Sequence, residues 1–404
     1  MNRFIIICLI IVSTSSFANN PVILLSIDGF SHDYLAQYQP KNILALANKG
    51  VMANGLTPVF PSKTFPNHLS IVTGMYPANH GIVHNKFYHR KLKKKYTLGA
   101  GKNNPAWLTA KPLWTIAEQQ GKKSAVYFWP ESETTVDGIL PSYLMKYKHS
   151  EPNINRINQI VDWLKLPKTE RPDFIAGYFS IIDDIGHKFG PNSKEVAKAI
   201  AEIDSIVGLL IEKITIETTV TPNIILVSDH GMTPIDKQLI IQRKNLLADF
   251  SQLNIVNGQT QLYIYEEDTQ LLNDVRSHLM TAPEKQYFQV FDKGNYPKYW
   301  HFNANNEVIP DMIINALSPA IFKDSMGYTS SATHGYDVSN NPELKAMFIA
   351  QGPDIKKGLT INSFENIHIF SLMETLLELP VSTNVDSDIN VLSNIILRDK
   401  IKNK

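Results

Sequence analysis

The chain has almost no cysteine, no hydrophobic run long enough to cross a membrane, and no surplus of charge of either sign. Its one cysteine is Cys8, so the residues beyond it can form neither an internal disulfide nor a thiolate metal site. Lys and Arg number 39 against 38 Asp and Glu, for a formal net charge of +1. That balance argues against a protein that coats nucleic acid, although small anionic substrates stay possible.

The first 18 residues, MNRFIIICLIIVSTSSFA, have a short basic start, an apolar run from Phe4 to Val12 and a small-residue end at Ala18. This pattern predicts a cleavable secretory signal over 1–18 and a periplasmic or secreted protein. The apolar run is too short for an ordinary transmembrane helix. We therefore expect no membrane span after cleavage; the alternative is an uncleaved N-terminal anchor.

The remaining residues, 19–404, have the composition of a globular protein, with 43% hydrophobic and 19% charged residues and no repeat. Short apolar runs alternate with helical patterns, which predicts a single α/β domain whose mainly parallel central sheet carries helices on both faces. The predicted strands are Val22 to Ile27, Phe174 to Ser180, Asn223 to Ser228 and Ala346 to Ala350. Helices are predicted from Lys194 to Ile214 and from Asn366 to Leu379.

Two stretches look peripheral to this sheet. Residues 238–306 combine a strand pattern, a helical pattern and the aromatic run KGNYPKYW, which predicts a small inserted lobe. The lysine-rich stretch from Arg90 to Lys111 is interpreted as a solvated surface and not as an anion site.

Metal-binding residue types follow three of the predicted strands directly. Asp28 comes after the first strand, Asp183 lies just past the second, and Asp229 with His230 follows the third. In open α/β sheets the loops beyond the carboxyl ends of the strands converge on the ligand. The sequence therefore predicts one shared site at that edge.

Thr64 lies in the string VFPSKTFPNHLSIVTG. Pro66 can occupy the first turn of a helix that runs to about Thr73 and ends at Gly74. The hydroxyl would then lie at a helix N-terminus, which favours negative charge. Threonine is a poor nucleophile without a metal or a base, so this pattern alone leaves two roles open: nucleophile, or simple helix N-cap.

The remaining candidate ligands are His187, four residues after Asp183 in DDIGHKFGP, and His334 in ATHGYD. With Asp28, Asp183, Asp229 and His230 they supply three carboxylates and three imidazoles around the Thr64 hydroxyl. Two ions about 4 Å apart would hold both the attacking and the leaving oxygen of an in-line displacement. Imidazole and carboxylate ligands without sulfur favour zinc first and manganese second.

The strings SIDGF, TFPNH, TGMYPANHGIVHN, DDIGHKFGP, SDHGM and THGYD occur in the order found in the nucleotide pyrophosphatase/phosphodiesterase family of the alkaline phosphatase superfamily, which the chain resembles over nearly its whole mature length. The resemblance implies an alkaline-phosphatase-like fold and two Zn²⁺ ions. One zinc would be held by Asp183, His187 and His334, and the other by Asp28, Asp229 and His230. Thr64 would form a covalent phosphothreonine intermediate.

The same resemblance implies the substrate contacts. Asn85, in GIVHN, matches the asparagine that donates to a non-bridging phosphate oxygen; its other interpretation is a turn residue. Family members that act on nucleotides hold the base between aromatic rings. Phe65 matches one ring, and Tyr143 or Tyr147 would supply the other unless they are core aromatics.

A small-molecule phosphodiester is the expected substrate. A diester carries one negative charge, for which a neutral amide is a sufficient hydrogen-bond donor. A monoester carries two charges and would favour an arginine, and none of the motifs contains one. The expected activity is hydrolysis of phosphodiester or pyrophosphate bonds in nucleotides or similar esters. The alternatives are cleavage of lysophospholipid or choline phosphodiesters, a phosphonoacetate-hydrolase-like reaction, and a non-catalytic metal-binding protein. The sequence does not indicate an oligomeric state.

Overall fold

A computed structural model describes residues 20–302, 306–325 and 327–397; the predicted signal segment lies outside them. At its centre is an eight-stranded sheet. In spatial order its strands are Leu359–Ile361, Val51–Ala53, Phe348–Gln351, Asn223–Val227, Val22–Ile27, Phe174–Phe179, Ser124–Tyr127 and Tyr143–Met145. Only Phe348–Gln351 runs antiparallel to its neighbours, so the predicted mainly parallel sheet is confirmed.

The central strand Val22–Ile27 is buried on both faces along its whole length. Successive side chains alternate between two hydrophobic layers, as the two-residue period of a strand requires. Val22 and Leu24 pack into one layer, and Ile23 and Leu25 into the other. Helices therefore cover both faces of the sheet, as predicted.

The helices divide between the two faces. Those that share the layer of Val22 and Leu24 are Thr64–Thr73, Leu113–Gln119 and Ile369–Leu376. Those on the other face are Asp33–Tyr38, Lys41–Lys49, Asn153–Lys165, Ile181–Phe189 and Lys194–Glu217. Shorter α-helices are Pro77–His80 and Arg243–Leu246. Among the described residues, no helix has the length and apolar character needed to cross a membrane.

The predicted helix from Lys194 extends further than its apolar pattern, to Glu217, and begins at a Ser193 side chain that accepts a hydrogen bond from the Val196 amide. The predicted helix from Asn366 opens as a 3₁₀ turn, Asn366–His368, and continues as the α-helix Ile369–Leu376. Periodicity locates such helices well, whereas their last turns depend on capping contacts.

A second, four-stranded antiparallel sheet forms the lobe. Its strands in spatial order are Asn254–Asn257, Gln261–Tyr265, Met312–Ala316 and Phe288–Asp292. The helix Thr269–Thr281 packs on one face through Val275 and Leu279. Because Met312–Ala316 belongs to this sheet, the lobe reaches beyond the predicted limit at 306.

The lobe shares part of its core with the main domain. Tyr263 on the strand Gln261–Tyr265 packs into the same hydrophobic layer as Val22, and Trp300 stacks on Phe60 with 3.7 Å between ring centroids.

Smaller pairs of strands are Leu56–Thr57 with Phe364–Glu365, Phe87–His89 with Lys94–Tyr96, Thr233–Pro234 with Ala332–Thr333, and Ile240–Gln242 with Ile321–Lys323.

Candidate active site

The predicted metal ligands meet at the carboxyl edge of the central sheet. Asp28 directly follows the strand Val22–Ile27, and Asp229 and His230 follow Asn223–Val227 after one residue. Asp183 and His187 lie one turn apart on the helix Ile181–Phe189, which begins where Phe174–Phe179 ends. Adjacent parallel strands thus deliver these side chains to one point.

Thr64 is the first residue of the helix Thr64–Thr73, and Lys63 occupies the cap position. Its hydroxyl oxygen lies 3.4 Å from Nε2 of His230. The helix ends at Gly74, whose φ of 66° is left-handed. The interpretation of Thr64 as the helix N-cap is wrong, because Lys63 holds that position, and the Thr64 side chain faces the cluster of metal-ligand candidates.

Two overlapping sets of ligand atoms lie close together. In each set the atoms are within 4.8 Å of one another: Asp183, His187 and His334 form one, and Asp28, Asp183 and His230 the other. Asp183 belongs to both. Asp229, which the resemblance assigns to the second set, lies beside it, with Oδ2 3.0 Å from Nε2 of His230.

All three histidines point the same nitrogen at the cluster. Nδ1 of His187, His230 and His334 lies 2.9, 2.9 and 2.8 Å from the backbone carbonyls of Ala332, Gly231 and Ser62. A carbonyl only accepts, so Nδ1 carries the proton and Nε2 presents its lone pair to the cluster. Metal-binding histidines are oriented in this way.

Three carboxylate oxygens in the cluster are buried without a hydrogen-bond donor: Asp28 Oδ1, Asp183 Oδ1 and Asp229 Oδ2. Buried oxygens of this kind are costly unless a cation satisfies them. Together with three imidazole lone pairs, they form a donor set that fits divalent cations such as Zn²⁺ or Mn²⁺.

The carboxylates repel one another. Burial and the nearby charges of Asp229 and Asp183 raise the pKa of Asp28, and burial raises the pKa of Asp183. Burial also acts to raise the pKa of Asp229, but His230 and His68 hold it below its usual range. Burial, with His230 and Lys63 nearby, lowers the pKa of His334, which keeps its imidazole neutral and able to bind a metal.

A cavity of about 420 Å³ opens in front of Thr64. Phe65 and Tyr147 both line it, and Tyr147 is 50% exposed at its mouth. Tyr143 does not line it: its hydroxyl donates to the Glu170 carbonyl, and its ring packs near Trp163. Tyr143 lies on the edge strand Tyr143–Met145, whereas Tyr147 lies past the end of that strand, at the functional edge of the sheet.

Asn85 lines the same cavity. Its Oδ1 accepts a hydrogen bond from the backbone amide of Phe65, at 3.0 Å. That contact fixes the orientation of the side-chain amide, because the oxygen must face the Phe65 N–H. The NH₂ group is left as a donor for a ligand beside Thr64.

Further lining residues were not anticipated from the sequence. Tyr178 donates to Asp28 Oδ2 at 2.5 Å, although its place in an apolar strand resembled a core position. Lys102 and Leu98 also line the cavity, so part of the stretch from Arg90 to Lys111 is not peripheral; Lys91, Lys93, Lys94 and Lys95 are exposed, as expected.

One wall of the cavity is held by a buried acid, Glu131. It accepts hydrogen bonds from the hydroxyls of Tyr96 and of Thr134. Phe128 and Glu131 have left-handed backbones, with φ of 70° and 59°, a conformation that residues other than glycine adopt only occasionally. Through its hydrogen bond with Tyr96, Glu131 links the chain around Trp129 to the chain that carries Leu98 and Lys102.

The chain matches, over residues 22–337, the family described as type I phosphodiesterase/nucleotide pyrophosphatase. It is 35% identical over 388 residues to ectonucleotide pyrophosphatase/phosphodiesterase family member 1 of Rattus norvegicus, covering 92% of this chain and 42% of that protein. It is 34% identical to a venom phosphodiesterase of Naja atra, covering 91% of this chain and 45% of the other. The chain thus spans less than half the length of these two relatives.

An uncharacterised pyrophosphatase/phosphodiesterase of Schizosaccharomyces pombe is 35% identical, and the match covers 90% of this chain and 78% of that protein. Among solved structures, murine ectonucleotide pyrophosphatase/phosphodiesterase 5, an inactive variant in complex with AMP, superposes with a TM-score of 0.85 at 25% identity. That match covers 94% of this chain and 100% of the murine chain, which confirms the predicted alkaline-phosphatase-like architecture.

Proposed function

This chain belongs to the type I phosphodiesterase/nucleotide pyrophosphatase family, and from that premise we propose that it hydrolyses phosphodiester or pyrophosphate bonds in nucleotides or similar small esters. The observation that carries the proposal is the convergence of one alcohol, three imidazole nitrogens and three buried carboxylate oxygens that accept no hydrogen bond, at one cavity.

The donor set would hold two divalent cations, Zn²⁺ first. Asp183, His187 and His334 would hold one, and Asp28, Asp229 and His230 the other, with Asp183 close to both. When bound, such ions withdraw charge from phosphoryl oxygens and make a nearby hydroxyl more acidic. The protein contributes the fixed imidazoles and the dry, shaped cavity around them.

Thr64 is the proposed nucleophile. Its Oγ1 forms a bond to phosphorus as the bond from phosphorus to the leaving oxygen breaks, and the hydroxyl proton is released. The product is a threonine-bound phosphoryl group that keeps the second ester substituent, and the leaving oxygen departs with the proton as an alcohol or a phosphate. Water then attacks the phosphorus, the bond to Oγ1 breaks, and the threonine hydroxyl is restored. The helix N-terminus beneath Thr64 favours the negative charge of the phosphoryl group.

The other lining residues position the ester. The Asn85 NH₂ group would donate to a non-bridging oxygen, and Phe65 and Tyr147 would contact an aromatic base. Lys102 is the one Lys or Arg among the described lining residues. A site with so little fixed positive charge suits a diester, which carries a single negative charge. The AMP bound by the murine relative supports a nucleotide as the substrate.

The test compares kcat/KM for bis(p-nitrophenyl) phosphate and p-nitrophenyl phosphate in the wild type and in Thr64→Ala. We expect the diester to be the better substrate, and we expect the variant to lose at least about 10³-fold in kcat, since loss of a nucleophile removes the covalent route. A chelator should abolish activity, and Zn²⁺ should restore it.

A monoester preference would reject the diesterase assignment. Equal rates for the wild type and Thr64→Ala would reject the covalent route, and full activity after chelation would reject the metal site. Thr57→Ala serves as the matched control, because Thr57 lies in a short strand and does not line the cavity.

Choline phosphodiesters are a second candidate, favoured by one observation. Glu133, Trp129 and Tyr147 line the same cavity, and an acid with aromatic faces attracts a quaternary ammonium. A panel of ATP, a dinucleotide polyphosphate, thymidine monophosphate p-nitrophenyl ester and glycerophosphocholine separates the two candidates. For the compartment, we propose export to the periplasm or outside the cell, on the pattern of residues 1–18.

A further inference from the structure

The lobe reaches the candidate active site through one turn. This lobe turn, residues 257–261, joins the strands Asn254–Asn257 and Gln261–Tyr265. Gly258 donates its backbone amide to the Gln261 carbonyl at 2.8 Å, and Gln259 has a left-handed φ of 76°. The Thr260 and Gln261 side chains are fully buried.

The lobe turn contacts the chain on both sides of His334. Before it, the Thr333 hydroxyl donates to Gln259 Oε1 at 3.0 Å. After it, Gln261 Nε2 donates to the Gly335 carbonyl at 2.8 Å. Gly335 has φ of 110°, and a Cβ there would lie 2.5 Å from the Thr260 hydroxyl. The backbone of Gly335 is therefore packed directly against the side chain of Thr260 in the lobe turn.

Both polar atoms of the Gln261 side-chain amide are hydrogen-bonded in this position. Its Nε2 also donates to Asn315 Oδ1 at 2.8 Å, and its Oε1 accepts from the Thr260 hydroxyl at 2.8 Å. A buried amide with all these partners has one available orientation. It can therefore fix the Gly335 carbonyl, one residue from His334, with little freedom.

Further hydrogen bonds to His334 and Gly335 come from Ser62 and Lys63, the two residues before Thr64. The Ser62 carbonyl accepts from His334 Nδ1, Lys63 Nζ donates to the His334 carbonyl at 2.6 Å, and the Gly335 amide donates to Ser62 Oγ at 3.0 Å. The strand before His334, Ala332–Thr333, has only two residues. It pairs with Thr233–Pro234, so before His334 the chain has a strand partner, whereas hydrogen bonds to His334 and Gly335 come from the lobe turn and from residues 62–63.

We propose that Gln261 is a positioning residue for His334, and that the lobe is consequently part of the metal-binding machinery. The inference rests on the proposed metal site. Gln261 acts through the Gly335 carbonyl, because that contact, with the one between Thr333 and Gln259, sets where Nε2 of His334 points relative to Asp183 and His187. Residues that orient metal ligands in this way typically change affinity or activity about 10–100-fold when they are replaced.

The test is a titration of the metal-free protein with Co²⁺, followed by visible absorption, for Gln261→Met. Methionine has a similar length but cannot donate to Gly335. We expect the wild type to bind two equivalents, and the variant to bind one of them about 10-fold or more weakly, with a changed absorption spectrum. Val275→Ala is the matched control, because it opens the lobe's own hydrophobic core without changing the lobe turn.

Thr333→Val supplies an independent variant on the other side of His334 and should weaken the same equivalent. If Gln261→Met binds both cobalt ions as Val275→Ala does, and differs from the wild type only in melting temperature, Gln261 is merely structural and the inference is wrong. If the wild type itself binds no cobalt, the proposed metal site fails as well.

Discussion

Asn85 has one side-chain atom committed to the protein and the other facing the cavity. Its Oδ1 accepts from the Phe65 amide, so the residue beside Thr64 and the proposed phosphate donor are joined by a hydrogen bond. Movement of the helix that begins at Thr64 would therefore carry the amide with it. The proposed donor would thus keep its position relative to the Thr64 hydroxyl.

Asn85→Asp keeps the acceptor for Phe65 and replaces the donor with a negative charge. We expect kcat/KM for a diester to fall about 10²–10³-fold, the usual effect of losing one donor to a charge that develops in the transition state. Melting temperature should change little, since the Phe65 contact is retained. Steady-state kinetics and thermal unfolding measure the two effects.

Asn390→Asp introduces the same charge at an exposed asparagine outside the cavity and should leave kinetics unchanged. Should Asn85→Asp hydrolyse diesters at the wild-type rate, Asn85 is a turn residue and not a phosphate donor.

Single residues were predictable where their chemistry is unusual for their surroundings. Asp28, His230 and Thr64 interrupt apolar or helical patterns and recur in motifs, so the sequence indicated them. Tyr178 and Glu131 were missed because a tyrosine in an apolar strand and an acid in a loop have ordinary structural explanations. Only three-dimensional contacts, with Asp28 and Tyr96 respectively, reveal their place in the site.

At the next scale, the turn after the first strand and the helix of Asp183 touch through backbone atoms. Gly29 has a left-handed φ of 73°, and its amide donates to Asp229 Oδ1 at 3.2 Å. A Cβ at this position would lie 2.9 Å from the Asp183 Cα atom. The spacing between Asp28 and Asp183 thus depends on the absence of a side chain.

Gly29→Ala should separate the strand end from the helix Ile181–Phe189. We expect a loss of about 1–3 kcal/mol in the free energy of unfolding from backbone strain and contact, and a fall in kcat of about 10²-fold, since small displacements in a catalytic site are costly. Urea unfolding and steady-state kinetics provide the measurements.

The control is Gly121→Ala, since Gly121 has nearly the same φ, 72°, and a Cβ added there would meet no other atom within 4 Å. Gly121→Ala should lower the free energy of unfolding through backbone strain, and it should leave kcat unchanged. Equal kinetic effects of the two substitutions would contradict a role for close packing at Gly29.

Elements were predicted more accurately in their middles than at their ends. The strands Phe174–Phe179 and Asn223–Val227 stop one residue before the predicted limits, because Ser180 precedes a helix and the Ser228 hydroxyl donates to the His230 carbonyl. The edge strand Tyr143–Met145 has only three residues, too few to give a period. The choice between Tyr143 and Tyr147 therefore required the structure.

For the molecule as a whole, buried neutral histidines are one source of instability in acid. His80 is fully buried, its Nδ1 accepts from the Ile82 amide, and its Nε2 lies 3.1 Å from the Ser70 hydroxyl. Burial lowers its pKa to about 3. The unfolded chain takes up this proton near the ordinary pKa of about 6.5, whereas the folded chain does not.

Stability contributed by neutral His80 is therefore present above pH 6.5 and is lost as the pH falls towards 3. We expect His80 alone to reduce the free energy of unfolding by about 2 kcal/mol between about pH 7 and pH 5. His80→Gln should be less stable at pH 7 but should lose about 2 kcal/mol less on acidification, as urea titrations at the two pH values will measure.

His149→Gln, at an exposed histidine, is the control and should retain the wild-type acid response. An acid response of His80→Gln equal to that of the wild type would show that His80 takes up its proton in the folded protein.

The buried pairing of Glu131 with Tyr96 has a consequence for redesigning the entrance of the cavity. It links two stretches of chain that are distant in sequence, while Leu98 and Tyr147 line the cavity and are partly exposed. Neither of these side chains belongs to the pairing or to the cluster of metal-ligand candidates. Substituting them is therefore expected to change which molecules enter while the wall of the cavity stays in place.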